Sequence, residues 1–303
     1  MNEIPEIAAP VLTEEREVAG SFVGDLAQLT KARLSFLVVV TTFVGFCMAS
    51  ADKIDWLKLL HTLIGTALVA GAAAALNQVL ETNVDRLMER TKHRPLPAGR
   101  MSRGTALSLG IGMGLMGVLY LALATTFLAT YLAVATFVIY VAFYTPMKRR
   151  TSLCVTIGAV SGAIPPLIGW TAVSGNIGVG AWVLFGVLFA WQMPHFLAIA
   201  WMYRDEYAQA GFVMLPRRDV AGGTTAVQSL LFSIGLAAIT LVPVFLHSAN
   251  WVYLGGALIC DVILIACAIN FLTQRTRPAA RRLFFASILY LPALLGLMVC
   301  TRG

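Results

Sequence analysis

Residues 76–97 read LNQVLETNVDRLMERTKHRPLP and join the end of an apolar segment to a group of basic residues. Asn77, Glu81 and Asp85 recur at intervals of four, which places their side chains one turn apart on one face of an α-helix. Glycine and alanine dominate residues 65–75, and small residues allow neighbouring membrane helices to approach closely. We therefore predict a row of three oxygen-bearing side chains at the end of a tightly packed helix.

This row of oxygens is a candidate Mg²⁺ site. Two carboxylates and an amide oxygen repel one another unless a cation lies between them, and Mg²⁺ takes one or two carboxylates together with oxygens of a substrate phosphate. Four basic residues that suit such a phosphate follow directly: Arg86, Arg90, Lys92 and Arg94. The alternative is an ordinary solvated helix end of mixed charge, since this spacing also recurs by chance.

The composition places the chain in a membrane. It has 303 residues, 58% hydrophobic and 12% charged, whereas soluble domains carry about 25% charged residues. Its mean hydropathy is +0.80. Apolar segments long enough to cross a bilayer are predicted at nine places: 34–50, 59–80, 104–124, 127–146, 153–173, 179–203, 225–246, 251–271 and 282–300.

The predicted fold class is therefore all-α, a polytopic membrane protein in which nine helices form one bundle. Residues 25–303 are expected to make up this single domain. Residues 1–24 include five glutamates and no apolar core, so we expect a disordered acidic cytosolic tail rather than a cleaved signal peptide. The five cysteines fall inside predicted spans without a CxxC pair, which indicates neither a disulfide framework nor a thiolate metal site.

The distribution of positive charge predicts the orientation. With a cytosolic N-terminus, the cytosolic segments hold all 22 lysines and arginines except Lys53, Lys58 and Arg302. Cytosolic loops of membrane proteins carry the excess of these residues. We therefore expect the C-terminus outside and residues 77–97 on the cytosolic side, within reach of soluble anionic substrates.

Two further candidate groups lie elsewhere in the chain. Lys148, Arg149 and Arg150 end the fourth predicted span and suit either a diphosphate or lipid headgroups. Asp205 and Glu206 form a second acidic helix end four spans after the first. This repetition indicates an internal duplication that brings the two acidic ends together across one cavity.

Two ionisable side chains are expected within the bilayer. His195 lies about 15 Å deeper than residue 205 at 1.5 Å per residue, and an ionisable residue at that depth is a functional candidate. The alternative is a histidine hydrogen-bonded between helices. Asp261 lies near the middle of the eighth predicted span, where we expect a hydrogen bond to a neighbouring helix.

Several motifs resemble those of the UbiA-type intramembrane prenyltransferases, in the version typical of the branch that farnesylates protoheme. They follow one another in the order expected for that branch. They are Leu29-Thr30-Lys31-x-Arg33, Asn77-x3-Glu81-x3-Asp85-x2-Met88-x-Arg90-Thr91, Tyr144-Thr145-Pro146-x-Lys148-Arg149-Arg150-Thr151, Pro165-Pro166 within residues 162–170, and Trp191-Gln192-x-Pro194-His195-Phe196. Quinone-type relatives carry two acids four residues apart in the second acidic motif. This chain departs from them, because Gln209 stands four residues after Asp205.

The resemblance implies a nine-helix bundle that transfers the farnesyl group of farnesyl diphosphate to a vinyl group of protoheme, with addition of water, giving heme O and diphosphate. It implies Mg²⁺ as cofactor and a place in the cell inner membrane. The implied catalytic and metal-binding residues are Asn77, Glu81, Asp85, Asp205 and Glu206. The implied diphosphate ligands are Arg86, Arg90, Lys92, Arg94, Lys148, Arg149 and Arg150.

His195 is the expected heme contact. Membrane lipid is an expected partner, as is a downstream heme A synthase or terminal oxidase assembly, and no nucleic-acid partner is expected. Two alternatives stay open. One is a UbiA-type prenyltransferase acting on an aromatic acid or quinone precursor. The other, from a different class, is a carrier of heme or an organic anion, since transporters also arrange ionisable residues and bent helices around a cavity.

Overall fold

The computed structural model describes residues 21–50, 53–215, 219–246 and 248–301, and these residues are predominantly helical. The helices are α1 (Phe22–Leu29), α2 (Ala32–Ala49), α3 (Trp56–Asp85), α4 (Arg103–Ala124), α5 (Phe127–Val138), a π-helix (Ile139–Tyr144), α6 (Thr145–Met147), α7 (Cys154–Ala163), α8 (Pro165–Ser174), α9 (Val179–Met202), α10 (Arg204–Gln209), α11 (Gly223–Phe245), α12 (Trp251–Gln274) and α13 (Arg277–Cys300).

Within these ranges, nine helical segments are long and apolar enough to cross a membrane, which confirms the predicted number. The fourth span is α5, the π-helix and α6 together, and the fifth is α7 and α8 together. The second span differs from its prediction because α3 continues to Asp85 rather than ending near residue 80. One uninterrupted helix therefore carries Asn77, Glu81 and Asp85.

The predicted tail lies mostly outside the described residues. Residues 21–24, which were assigned to it, belong to the folded part of the chain. The hydroxyl of Ser21 accepts a hydrogen bond from the Gly24 amide and caps α1. An N-cap of this kind satisfies an amide that would otherwise lack a partner, so α1 begins directly after Ser21.

Close helix packing in the first half of the bundle depends on small residues. A Cβ atom at Gly45 of α2 would overlap the Pro166 carbonyl of α8, and one at Gly169 of α8 would overlap the Thr42 carbonyl of α2. Only glycine allows the two backbones to lie this close. The contact fixes α2 against α8, which follows α7 directly at Pro165 and Pro166.

The short helix α1 is fastened to α3 by polar contacts. The side-chain amide of Gln78 donates to the carbonyl oxygens of Gln28 and Leu29, at 2.7 and 2.9 Å. Arg100, which follows α3 in the chain, pairs with the buried Asp25 at 2.9 Å. These contacts place the junction between α1 and α2 directly beside the polar end of α3.

Asp261 joins three helices of the second half of the bundle. Its carboxylate accepts hydrogen bonds from Thr240 of α11 at 2.8 Å and from Tyr290 of α13 at 2.6 Å. The expected hydrogen bond to a neighbouring helix is thereby confirmed, because both carboxylate oxygens have a donor on another helix.

Candidate active site

A cavity of about 300 Å³ opens at the end of the bundle where α3 terminates. We call it the first cavity. Its charged lining side chains are Lys31, Glu81, Asp85, Arg90, Arg94 and Lys148, and its other polar lining residues are Thr91, Tyr140, Tyr144 and Tyr207. Its apolar wall comes largely from α9 and the residues after α10, including Phe196, Ile199, Phe212 and Met214.

The predicted row of oxygens on α3 is buried, and each member meets one cation. Asn77, Glu81 and Asp85 are 0%, 7% and 3% exposed. Lys31 donates to Asn77 Oδ1 at 2.6 Å. Glu81 pairs with Lys148 at 2.8 Å and Asp85 with Arg94 at 2.7 Å.

Lys31 is a cavity residue that the sequence interpretation did not include among the site residues. Its backbone φ of 48° lies in the left-handed region, which costs energy for a residue with a side chain and tends to occur at functional sites. The strained turn directs its ammonium group at Asn77. Burial lowers the pKa of Lys31. The motif Leu29-Thr30-Lys31 was the available signal, but its residues read equally well as a basic membrane interface.

Lys148 reaches Glu81 because a π-helix precedes it. Single π-helical turns inside α-helices are rare and often occur at functional sites. This one turns Tyr140 and Tyr144 into the cavity with ring centres 5.1 Å apart. The Lys148 ammonium lies 4.5 Å from the centre of the Tyr144 ring. Burial favours the neutral amine, but the interactions with Tyr144 and Glu81 outweigh it, so the pKa of Lys148 is raised.

The segment that follows α3 folds back over the cavity. Thr91 donates its hydroxyl hydrogen to the Asp85 carbonyl at 2.9 Å, which closes the turn. Arg94 is thereby placed on the Asp85 carboxylate, and Arg90 reaches the Tyr207 hydroxyl at 3.4 Å. Of the four basic residues predicted in this segment, Arg90 and Arg94 thus line the cavity.

The other predicted diphosphate ligands lie elsewhere. Arg86 is exposed, and Lys92 pairs with Glu89 at 2.7 Å on the surface. Arg149 and Arg150 are exposed and line a neighbouring cavity of about 700 Å³ between α3 and the fourth span, which shares Glu81 and Phe212 with the first cavity. The structure therefore does not bring these four cations to the first cavity.

The second acidic pair is also separate from the first cavity. Asp205 is exposed and lies 3.4 Å from Arg277 and 3.7 Å from Arg204. Glu206 lines another cavity, of about 540 Å³, between α9, α10 and the start of α13. We call it the second cavity. The two acidic helix ends do not face each other across one cavity.

His195 lies on α9 against α13. Its ring stacks between Trp191 and Phe284, with ring centres 4.9 and 5.0 Å away. Its Nδ1 atom lies 2.8 Å from the Ser287 hydroxyl, which itself donates to the Phe284 carbonyl at 2.6 Å. Because Ser287 has only one hydroxyl hydrogen, which the Phe284 carbonyl accepts, Nδ1 is assigned as the donor to Ser287.

The donor set fits one divalent cation bound together with a phosphate. Glu81 and Asp85 line the first cavity, and Mg²⁺ typically uses one or two carboxylates plus phosphate oxygens and water. Asn77 lies deeper, with its oxygen on Lys31 and its amide donating to Thr145 at 3.0 Å. Within the described residues, no cluster of three or more acidic, histidine or cysteine side chains could bind a metal without a substrate.

Comparison with known proteins identifies the family. The model of the UbiA prenyltransferase family matches residues 38–289. The chain belongs to the UbiA prenyltransferase family. As a member of that family it is an integral membrane prenyltransferase.

Among UbiA family members, the chain is similar to several bacterial proteins over nearly their whole length. It is 44% identical over 280 residues to protoheme IX farnesyltransferase of Opitutus terrae, covering 92% of this chain and 94% of that protein. It is 40% identical over 287 residues to protoheme IX farnesyltransferase of Solibacter usitatus, covering 92% of this chain and 98% of that protein.

Solved structures share the fold at lower sequence identity. A digeranylgeranylglyceryl phosphate synthase aligns with a TM-score of 0.80 at 16% identity, over 92% of this chain and 98% of that one. A UbiA homologue from Archaeoglobus fulgidus, bound to DMAPP and Mg²⁺, aligns with a TM-score of 0.67 at 13% identity, over 90% of this chain and 99% of that one. These similarities confirm the predicted UbiA-type helix bundle.

Proposed function

We propose that this protein transfers the farnesyl group of farnesyl diphosphate to a vinyl group of protoheme, with addition of water, and releases heme O and diphosphate. The observation that carries the chemistry is the first cavity, where Glu81 and Asp85 are buried among cations and next to an apolar wall. The similarity to protoheme IX farnesyltransferases over most of both chains supports the choice of acceptor.

In this proposal the diphosphate binds among Lys31, Arg90, Arg94 and Lys148. Glu81 and Asp85 hold Mg²⁺, which when bound neutralises charge on the leaving diphosphate. Fixed cations in a cavity that excludes water stabilise developing negative charge far more than the same cations in solution. These residues therefore favour departure of the diphosphate over its return.

The apolar wall of the first cavity has a separate role. Phe196, Ile199 and Met214 face the polar lining, so an isoprenoid chain can lie against them while its diphosphate meets the cations. The paired rings of Tyr140 and Tyr144 border the same space. Aromatic faces attract a nearby cation, so these rings stabilise the allylic cation until the vinyl carbon attacks it.

His195 is proposed as the heme contact. Its Nδ1 atom is held by Ser287, and histidines that bind a metal through one ring nitrogen usually donate the other to such a partner. We expect His195→Ala to weaken protoheme binding while binding of farnesyl diphosphate stays unchanged. Unchanged protoheme affinity in the purified variant would exclude this role.

The proposal also places the first cavity on the cytosolic side of the inner membrane. Its support is the charge distribution of the sequence, in which the basic residues cluster at the end of the bundle that holds Asp85. Cysteine labelling of residues near Lys53 and near Arg86 in intact cells tests this orientation. The product is expected to pass to a heme A synthase or a terminal oxidase assembly.

A direct assay tests the proposed reaction. The purified protein is given farnesyl diphosphate and Mg²⁺ together with either protoheme or 4-hydroxybenzoate. We expect heme O and diphosphate with protoheme and no product with 4-hydroxybenzoate. Prenylated 4-hydroxybenzoate would favour the quinone-type alternative, and binding of protoheme without release of diphosphate would favour a carrier.

A further inference from the structure

The second cavity has no assigned role, although its lining combines cations with aromatic rings. Arg277, Arg281, Phe284 and Phe285 come from the first two turns of α13, and Met202, Tyr203 and Glu206 come from α9 and the segment that follows it. Its volume of about 540 Å³ lies in the range of cavities that bind organic ligands.

The two arginines of this lining differ in their partners. Arg277 lies 3.4 Å from the exposed Asp205, a distance too long for a strong ion pair. Arg281 packs 5.5 Å from the centre of the Phe285 ring and, among the described residues, pairs with no carboxylate. The cavity therefore presents guanidinium groups that are available to an anionic ligand.

One lining residue of the cavity contacts His195. Phe284 lines the cavity and stacks on the His195 ring at 5.0 Å. Met202, another lining residue, lies seven residues after His195 on α9 and hence on the same face of the helix, about two turns away. Phe284 therefore lies between the cavity and the imidazole.

The second cavity also adjoins the first. Tyr203 lines the second cavity, Arg90 lines the first, and the Arg90 guanidinium lies 6.0 Å from the centre of the Tyr203 ring. A molecule held in the second cavity is thus separated from the proposed diphosphate site by this pair of side chains. The position suits the acceptor of a two-substrate reaction.

We propose that the second cavity binds the carboxylate edge of a flat, apolar dicarboxylate, with Arg277 and Arg281 as its anchors and Phe284 against its ring. Protoheme has this chemistry, because its two propionates lie on one edge of a large aromatic ring. Arginine binds carboxylates through two parallel N–H donors, and its stem covers apolar surface. This inference rests on the proposed function, since it assigns a site to the proposed acceptor.

One acidic residue, Glu206, also lines the cavity and opposes the binding of an anion. Glu206 has a carboxylate oxygen, Oε2, that is buried without a hydrogen-bond partner. Such a group repels a propionate, so it lowers the affinity that the arginines provide. The net charge of the charged lining side chains is still positive, because two arginines face one carboxylate.

The test measures protoheme binding to the full-length protein in detergent by titration of the Soret absorbance. We expect the double variant Arg277→Ala/Arg281→Ala to bind protoheme about tenfold more weakly, because two charge-assisted contacts are lost at a partly solvated site. Protoheme dimethyl ester, whose propionates are neutral, should bind equally to the variant and to the wild type. Arg282→Ala is the matched control, since Arg282 is exposed on α13 and does not line the cavity.

Equal protoheme affinity in the double variant and the wild type would overturn this site while leaving the proposed reaction intact. Failure of the wild-type protein to bind protoheme at all would instead overturn the proposed function. Glu206→Gln provides a second test that does not remove an arginine. We expect it to tighten protoheme binding a few-fold, and weaker binding would overturn the assignment of the propionates to this lining.

Discussion

The Asp85 end of α3 and the segment just after α9 each carry two acidic residues but have opposite surroundings. Glu81 and Asp85 lie in the last two turns of α3, whereas Asp205 and Glu206 follow α9. Glu81 and Asp85 are buried, and each pairs with a cation from another part of the chain. Asp205 is exposed, and its contacts with Arg204 and Arg277 are longer than 3.3 Å.

This difference in burial and pairing shows what an acidic helix end needs to form a buried binding site. Three segments converge on α3: the junction of α1 and α2, the π-helical part of the fourth span, and the turn that follows Asp85. In the part of the chain that the structure describes, Asp205 meets Arg277 at the start of α13 and the neighbouring Arg204. Buried carboxylates need paired cations to stay charged, so the acidic end of α3 is tied to its cations, whereas Asp205 stays in water.

The largest contrast is expected in stability. Lys148→Met leaves the Glu81 carboxylate buried without its cation, and we expect a loss of about 3–5 kcal/mol. Arg277→Met removes the corresponding cation at the other end, where a screened surface pair contributes at most about 1 kcal/mol. Thermal unfolding of both variants in detergent compares them.

A double variant sharpens this contrast. Lys148→Met combined with Glu81→Gln removes the charge together with its partner, so most of the lost stability should return. Farnesyl transfer should not return with it, because the cavity then lacks both a metal ligand and a diphosphate ligand. Equal stability of the single and double variants would show that the pair does not hold this region together.

The next contrast concerns turnover. We expect Asp85→Asn to lower Mg²⁺-dependent farnesyl transfer by about a hundredfold or more, because a charged group at the reacting phosphate is lost. Asp205→Asn should change the rate by less than about threefold, since its side chain lies on the surface. Initial rates of diphosphate release at saturating Mg²⁺ measure both.

Unfolding temperatures of these two variants serve as the control, because a folding defect in Asp85→Asn would imitate a catalytic one. Comparable losses in both variants would mean that the second acidic end belongs to the catalytic site after all. Normal turnover of Asp85→Asn would contradict the metal assignment.

The smallest expected effect is a pH dependence at Lys31. Burial lowers the pKa of Lys31, so its charge is lost at a lower pH than that of an exposed lysine. Affinity for farnesyl diphosphate should therefore fall a few-fold as the pH rises through this pKa, whereas the folded state gains stability over the same range because the cost of the buried charge disappears. Titration calorimetry without protoheme measures the affinity.

Lys31→Arg keeps the positive charge throughout, so the fall in affinity at alkaline pH should disappear. Lys92→Arg is the control and should leave the pH profile unchanged, because Lys92 pairs with Glu89 away from the cavity. A profile that is identical in wild type and Lys31→Arg would assign the pH dependence to another group.

Local patterns in the sequence predicted several residues of the first cavity. The spacing of Asn77, Glu81 and Asp85 required only one continuous helix, and α3 provides it. Arg90, Arg94 and Lys148 were predicted because they follow apolar segments at the same end of the bundle. Lys31 was not, because nothing near it in the chain indicates that a left-handed turn aims it at Asn77.

The sequence by itself determined the class of the molecule and the placing of Asn77, Glu81 and Asp85 on one helix. Apolar segments of bilayer length, separated by basic loops, require a helical bundle because the backbone has no other hydrogen-bond partners in lipid. Only the tertiary structure decided which charges meet. A cation reaches a buried carboxylate through contacts between distant segments, such as Gln78 with α1 and the π-helix before Lys148, and spacing along one helix contains no information about them.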